Sequence, residues 1–226
     1  MYRPTVIVNC AMSADGKIAL PSRNQLRISS VGDMRRVFVL RNECDAVLVG
    51  IGAVLADDPK LTVKEMYVKH PRNPIRVVLD THARTPLDAF VVNEQALTIL
   101  FTGSKEEYAH GFGKNVEVIS SKVDCNGLIN LPDMLSILYE KGIRSLLVEG
   151  GGSVIWSFLR QRLVDDLFVY VGPMIVGGRE TPTMADGDGV FSLDEVIHLV
   201  LRDVQRLDEG VLLHYQLKAT EEKASL

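Results

Sequence analysis

The chain has 226 residues, 46% hydrophobic and 24% charged, with 25 Lys and Arg against 29 Asp and Glu for a net charge of −4. That composition supports a sizeable core and excludes a wholly disordered chain. The slightly acidic balance argues against a dedicated nucleic-acid binder, and no apolar run approaches the ~20 residues of a membrane helix.

Thr5–Cys10 (TVIVNC) is β-branched and nearly continuous, as in a strand buried on both faces. Small residues follow, and Asp15-Gly16 signals a turn. Ser29–Asn42 predicts a helix, with serine cap candidates and Met34, Val37, Phe38 and Arg41 at helical spacing. Ala46–Gly50 (AVLVG) is a second buried strand, running into Gly50-Ile51-Gly52 and then Asp57-Asp58-Pro59. This is not the GxGxxG fingerprint, because Leu55 stands at the third glycine position. Gly50 and Gly52 read equally as a close contact of helix on strand.

Ile75–Leu79 predicts the next strand, with Asp80-Thr81-His82-Ala83-Arg84-Thr85-Pro86 at its carboxyl end. Ligands in open α/β sheets bind outside those ends. Asp80 there suits a ribose hydroxyl, and Arg84 or Thr81 a 2′-phosphate; a solvated loop is the plain alternative. Thr98–Phe101 and Val116–Ile119 are two further strands. Asn130–Lys141 predicts a helix with Leu131, Met134, Leu135 and Leu138 on one face and Gly142 as its stop.

Ser145–Val148 predicts a strand, followed by Glu149-Gly150-Gly151-Gly152-Ser153 and a helix over Ser153–Arg162. Glycines let a ligand approach the backbone, and the helix start offers free N–H groups to an anion. A phosphate or pyrophosphate suits this turn, whereas a ligand-free turn needs only one glycine. No lysine follows, so it is not the Walker pattern. Leu167–Val171 is another strand; the apolar run onward to Val176 reads equally as core or interface. Ile197–Leu207 and Gly210–Leu217 alternate and predict an antiparallel hairpin around Asp208-Glu209.

Strands and helices in this order imply a three-layer α/β fold with a mostly parallel central sheet and an antiparallel C-terminal hairpin. Residues 1–218 are expected to form one domain and 219–226 a frayed tail. Cys10, Cys44 and Cys125 are odd in number and far apart, which fits a reducing cytoplasm and gives no zinc spacing. HExxH, GxSxG and the zinc-deaminase motif are absent, and the five histidines are scattered, so no metal is expected. No tyrosine is followed four positions later by lysine, the pair that short-chain dehydrogenases use.

Several segments together resemble one family. They are Met12–Lys17 (MSADGK), Arg27-Ile28-Ser29, Leu40-Arg41, Val49–Val63 (VGIGAVLADDPKLTV) and Asn73–Asp80 (NPIRVVLD). Leu146–Gly152 (LLVEGGG), Leu163–Gly178 and Arg206–Tyr215 (RLDEGVLLHY) complete the set. The chain resembles the riboflavin-biosynthesis reductases over about residues 3–218, and most of all their stand-alone archaeal and fungal type. The resemblance implies a dihydrofolate-reductase-like fold and NADPH-dependent reduction of the ribosylamino side chain of a pyrimidinone phosphate. Hydride would reach C1′ of the opened, imine form of the sugar. NADH as a second donor, a cytoplasmic location and a homodimer are also implied.

By the same resemblance, Ala53, Asp57, Asp80, Thr81, His82, Arg84, Ile119, Gly150, Gly151, Gly152 and Ser153 are expected to hold the cofactor. Arg41, Leu61, Lys64 and Glu149 are expected to face the substrate, with Glu149 also the candidate proton donor. The family pattern leads one to expect threonine at Ala53. Lys64 stands where bacterial members often carry arginine, which keeps the charge but not the bidentate fork. The rival readings are a dihydrofolate or pterin reductase and a non-catalytic dinucleotide-binding module.

Overall fold

The computed structural model describes residues 2–22, 26–103 and 111–219. Its elements in chain order are β1 (Thr5–Ser13), α1 (Val31–Glu43), β2 (Ala46–Gly50), α2 (Ile51–Asp57), β3 (Ile75–Leu79), β4 (Thr98–Thr102) and β5 (Val116–Ser120). They continue with α3 (Leu131–Glu140), β6 (Ser145–Val148), α4 (Gly152–Arg160), β7 (Asp166–Gly172), β8 (Leu199–Leu207) and β9 (Gly210–Leu217). The strands form one sheet in the order β5-β4-β3-β2-β6-β1-β7-β9-β8. β1 to β7 run parallel, while β9 runs antiparallel to both β7 and β8.

The continuous apolar strands have both faces covered. One face sets Val8, Leu48, Val77 and Phe101 against Met134 and Leu138 of α3 and Ile155 and Phe158 of α4. The other sets Val47, Val49, Val78, Leu100 and Leu147 against Val54 of α2, Leu61 and Cys44. Removing such surface from water is the main term holding the layers together, about 25 cal/mol per Å². Burial pushes the Cys10 thiol up to about 12 and the Cys44 thiol to about 11, so neither is a ready nucleophile.

Helix α1 starts where the serines predict. Ser30 Oγ accepts from Asp33 N, and Asp208 from the β8–β9 turn accepts from Gly32 N at 2.7 Å. Hydrogen bonds from the Ser30 hydroxyl and then the Gly32 amide hold the Asp208 carboxyl below the ordinary aspartate range. The Asp15-Gly16 turn is likewise tied to a distant segment. Asp15 accepts from Ser13 Oγ, Val176 N and Gly177 N, and these bonds hold its carboxyl down at about 2.

Several findings add to or depart from the sequence expectations. The segment after β2 is a seven-residue helix, α2, absent from the predicted element order. The run from Leu167 divides: Leu167, Val169 and Tyr170 are core, whereas Ile175 is exposed. The tail lies outside the described residues from position 220 onward.

Arg76 is another. It sits inside β3, fully buried, in a run (IRVVL) that reads as apolar. Its guanidinium donates to Thr98 Oγ1, Phe90 O, Asn93 Oδ1 and Ala96 O at 2.6–3.0 Å. Burial alone lowers its pKa to about 10. A five-donor fork matches this ring of acceptors, and an ammonium does not. Arg76→Lys is therefore expected to cost about 2–4 kcal/mol, by the unsatisfied carbonyls it leaves. Urea unfolding checks this, and a loss under about 0.5 kcal/mol would contradict it.

Candidate functional site

The carboxyl ends of β2 and β6, neighbours in the sheet, build the centre of the site. β6 ends at Val148, and Glu149 donates its N–H to Leu48 O of β2. The three glycines that follow serve three different needs. A Cβ on Gly150 would lie 2.5 Å from Val49 Cα and 2.8 Å from Gly50 N, so this residue lets β2 and the turn touch backbone to backbone. A Cβ on Gly152 would lie 2.4 Å from Thr183 O, so this one admits a distant loop. Gly151 has φ +76° and faces open space, and it is the N-cap of α4. Two of the three glycines thus serve packing, which narrows the ligand reading of the triplet to Gly151 and the helix start.

That start is open. No side chain caps α4, and its first N–H groups, on Gly152, Ser153 and Val154, lack the intrahelical acceptors that later residues have. Ile155 is the first whose N–H reaches back, to Gly151 O. The N-cap of α2, Gly50, also brings no side-chain acceptor. Free N–H groups and the positive end of the helix dipole suit an anionic group.

Beside this turn the structure brings together three of the four residues expected to face substrate. Arg41, near the end of α1, donates from Nε to Glu149 Oε1 at 2.8 Å and from Nη2 to Oε2 at 2.6 Å. Its Nη1 donates to Thr62 O at 3.2 Å. The guanidinium lies 5.3 Å from the centre of the Phe38 ring, and Lys64 Nζ lies 5.4 Å from that same ring. The side chains of Arg41 and Glu149 are only 16% and 11% exposed. Burial opposes the charge on Arg41, but the Glu149 carboxylate outweighs it and holds the guanidinium above its ordinary value. Phe38, one turn before Arg41, escaped the sequence reading as a site residue, although its i, i+3 spacing places it on the same helix face.

Leu61 is the fourth, and it differs. Its side chain is core, 2% exposed, while its backbone takes the left-handed conformation at φ +51°. A bulky residue there is strained, and only its main chain is left to meet a ligand. On the cofactor side, Ala53 and Asp57 stand four apart on α2 and share one face, with Asp57 exposed. Asp80 is buried and works within its own turn: Oδ2 accepts from Arg84 N, Thr85 N and Thr85 Oγ1, each at 2.7 Å. That turn presents His82 and Arg84 to solvent, and Thr81 O accepts from Gly103 N at the end of β4. Ile119 packs its side chain against the core. Among the described residues no group of His, Cys, Asp and Glu could hold a metal ion, and no helix is long and apolar enough to cross a membrane.

Comparison with known proteins agrees with this architecture. Residues 4–213 match the RibD C-terminal domain. The chain is 42% identical over 217 residues to the 2,5-diamino-6-ribosylamino-4(3H)-pyrimidinone 5′-phosphate reductase of Archaeoglobus fulgidus, covering 92% of this chain and 95% of that one. It is 40% identical over 218 residues to the protein of the same name from Methanothermobacter thermautotrophicus, covering 96% and 99%. Among solved structures, a diaminohydroxyphosphoribosylaminopyrimidine deaminase/5-amino-6-(5-phosphoribosylamino)uracil reductase from Thermotoga maritima superposes with a TM-score of 0.81 at 31% identity. That match covers 96% of this chain, which spans 57% of the longer protein.

Proposed function

Because this chain belongs to the RibD C-terminal domain family, we propose that it is the pyrimidinone 5′-phosphate reductase of riboflavin biosynthesis, using NADPH. The reaction converts the ribosyl side chain of 2,5-diamino-6-ribosylamino-4(3H)-pyrimidinone 5′-phosphate into a ribityl side chain. A hydride adds at C1′ of the opened sugar and a proton at the attached nitrogen. Residues 1–218 act as one reductase domain. The protein is read as a cytoplasmic homodimer.

One observation carries the reading: Glu149, paired to Arg41, is followed directly by the open start of α4. A phosphate-bearing dinucleotide and a charged substrate thereby find their partners at one strand end. The N–H groups of Gly152 and Ser153 fit the pyrophosphate of a nicotinamide dinucleotide, with Gly151 leaving room for it. Asp57 is assigned to the cofactor, and the Thr81–Arg84 turn to its 2′-phosphate. When bound, the reduced nicotinamide supplies the hydride. Arg41 and Lys64 hold the substrate's 5′-phosphate, so that remote binding energy orients C1′. Both Glu149 oxygens accept from Arg41, which favours Glu149 as an anchor for substrate N–H groups; water or the substrate's own amine then delivers the proton.

The test is loss of reduced-nicotinamide absorbance with the ribosylaminopyrimidinone 5′-phosphate, with NADH and dihydrofolate run in parallel. NADPH oxidation with the ribosylamino substrate alone is expected. Turnover of dihydrofolate instead would move the protein to the pterin reductases. Cofactor binding with no turnover of either substrate would make it a binding module.

A further inference from the structure

Arg41 and Lys64, the two cations proposed to hold the 5′-phosphate, come from different parts of the chain. Arg41 is on α1, whereas Lys64 lies beyond α2 in a loop that reaches β3 through turns alone. Glu149 offsets the charge of Arg41, but among the described residues no carboxylate pairs with Lys64. Lys64 is exposed. A strongly hydrated ammonium on a flexible four-carbon stem, repelled by a second cation, drifts into water unless something holds it.

One ring does so. Lys64 Nζ and Arg41 Cζ stand 5.4 and 5.3 Å from the centre of Phe38. Tyr67, from the same loop as Lys64, stacks on Phe38 with 4.9 Å between ring centres and 7° between planes. The Tyr67 N–H donates to Lys64 O at 3.0 Å, so the stack also holds the turn that carries the lysine. Phe38 is only 3% exposed, yet it lies outside the apolar clusters on both faces of the sheet. Its surroundings are therefore a second aromatic ring and two cations rather than the aliphatic core. The face of an aromatic ring is negative and attracts cations, most strongly where water is excluded.

We propose that Phe38 is a positioning residue for the phosphate-bearing end of the substrate. Its ring draws the Lys64 ammonium toward the Arg41 guanidinium against their mutual repulsion, and with Tyr67 it fixes the loop, so that one phosphate meets both cations already in place. Phe38 acts through these two side chains and not on the reacting atoms. A clamp assembled beforehand spares the phosphate the ordering of a mobile lysine, which tightens binding and leaves hydride transfer as it is.

The inference rests on the phosphate-clamp reading of Arg41 and Lys64, and the experiment separates the two. Phe38 is replaced by phenylalanines carrying one, two and three ring fluorines, which keep its shape and drain negative charge from its face, and by leucine, which removes the ring. The KM for the ribosylaminopyrimidinone 5′-phosphate and the Kd for ribose 5-phosphate, measured by calorimetry, are expected to climb with each fluorine. They should reach about tenfold in Phe38→Leu. The fluorinated proteins should keep kcat and melting temperature, and ribose without its phosphate should show no trend. In a Lys64→Met background the fluorine trend should flatten, because one of the two cations is gone. KM and Kd indifferent to fluorination, while Lys64→Met raises both, would reduce Phe38 to packing and overturn the inference. A Lys64→Met protein that binds ribose 5-phosphate as tightly as wild type would overturn the clamp reading with it.

Discussion

Gly150→Ala is expected to abolish the native fold, whereas Gly151→Ala one residue later should leave it standing. The Cβ added at Gly150 falls 2.5 Å from Val49 Cα and 2.8 Å from Gly50 N, atoms of a central strand that has no rotamer to change. Relief requires prying β2 from β6, where Leu48 pairs with Val148 and every neighbouring side chain is buried. Overpacking a core commonly costs about 1–3 kcal/mol, and a clash with backbone exceeds that range. Against a total stability of about 5–15 kcal/mol, the variant should be largely insoluble or lose its cooperative melting transition. Gly151→Ala meets no atom within 4 Å and carries only the conformational cost of φ +76°, about 1–3 kcal/mol. It should fold with a lowered melting temperature and weakened cofactor binding, because the new methyl stands in the space proposed for the pyrophosphate. Thermal melts with and without NADPH check both. A Gly150→Ala protein melting within a few degrees of wild type would refute the close-approach account.

The second large effect is at Arg41. Arg41→Ala leaves Glu149 nearly buried and without its counter-charge. Breaking a buried pair by removing one partner costs about 3–5 kcal/mol. The same change removes the proposed phosphate clamp, so kcat/KM should fall at least about 100-fold while cofactor affinity holds. A double variant separates the two losses. Arg41→Met with Glu149→Leu removes both charges and fills similar volume, so most of the stability should return while activity stays lost. Full activity in Arg41→Ala would remove Arg41 from substrate binding. Failure of the double variant to regain stability would mean that Arg41 matters through packing on Phe38 rather than through Glu149.

Much of the sheet is legible in the sequence, for a simple reason. Parallel strands covered on both faces appear as unbroken β-branched runs, and Ala46–Gly50, Ile75–Leu79 and Ser145–Val148 fall at the predicted bounds. What stays hidden depends on contacts distant in sequence. α2 is two turns long and inserted between glycines and acidic residues, too short for periodicity to reveal. Arg76 is buried in a run that composition reads as apolar, because its acceptors are carbonyls contributed from positions 90–96 and the Thr98 hydroxyl. Arg41 and Glu149 are each recognisable as site candidates, but their pairing across 108 residues is not. The glycine triplet is recognisable too, yet nothing local says that Gly150 answers to Val49 and Gly152 to Thr183.

The placement of β1 has a consequence for how the chain is made. β1 lies between β6 and β7, strands that follow it by more than a hundred residues, and Arg3 ahead of it pairs with Asp165 at a separation of 162 residues. β1 therefore has no neighbour until most of the polypeptide has left the ribosome. Even then α1 waits for Asp208 to complete its cap. Such long-range closure makes folding slow and late, with β1 exposed as an unpaired apolar strand in the meantime. β1 is thus the strand whose exposure before β6 and β7 arrive carries the largest risk of pairing with another chain.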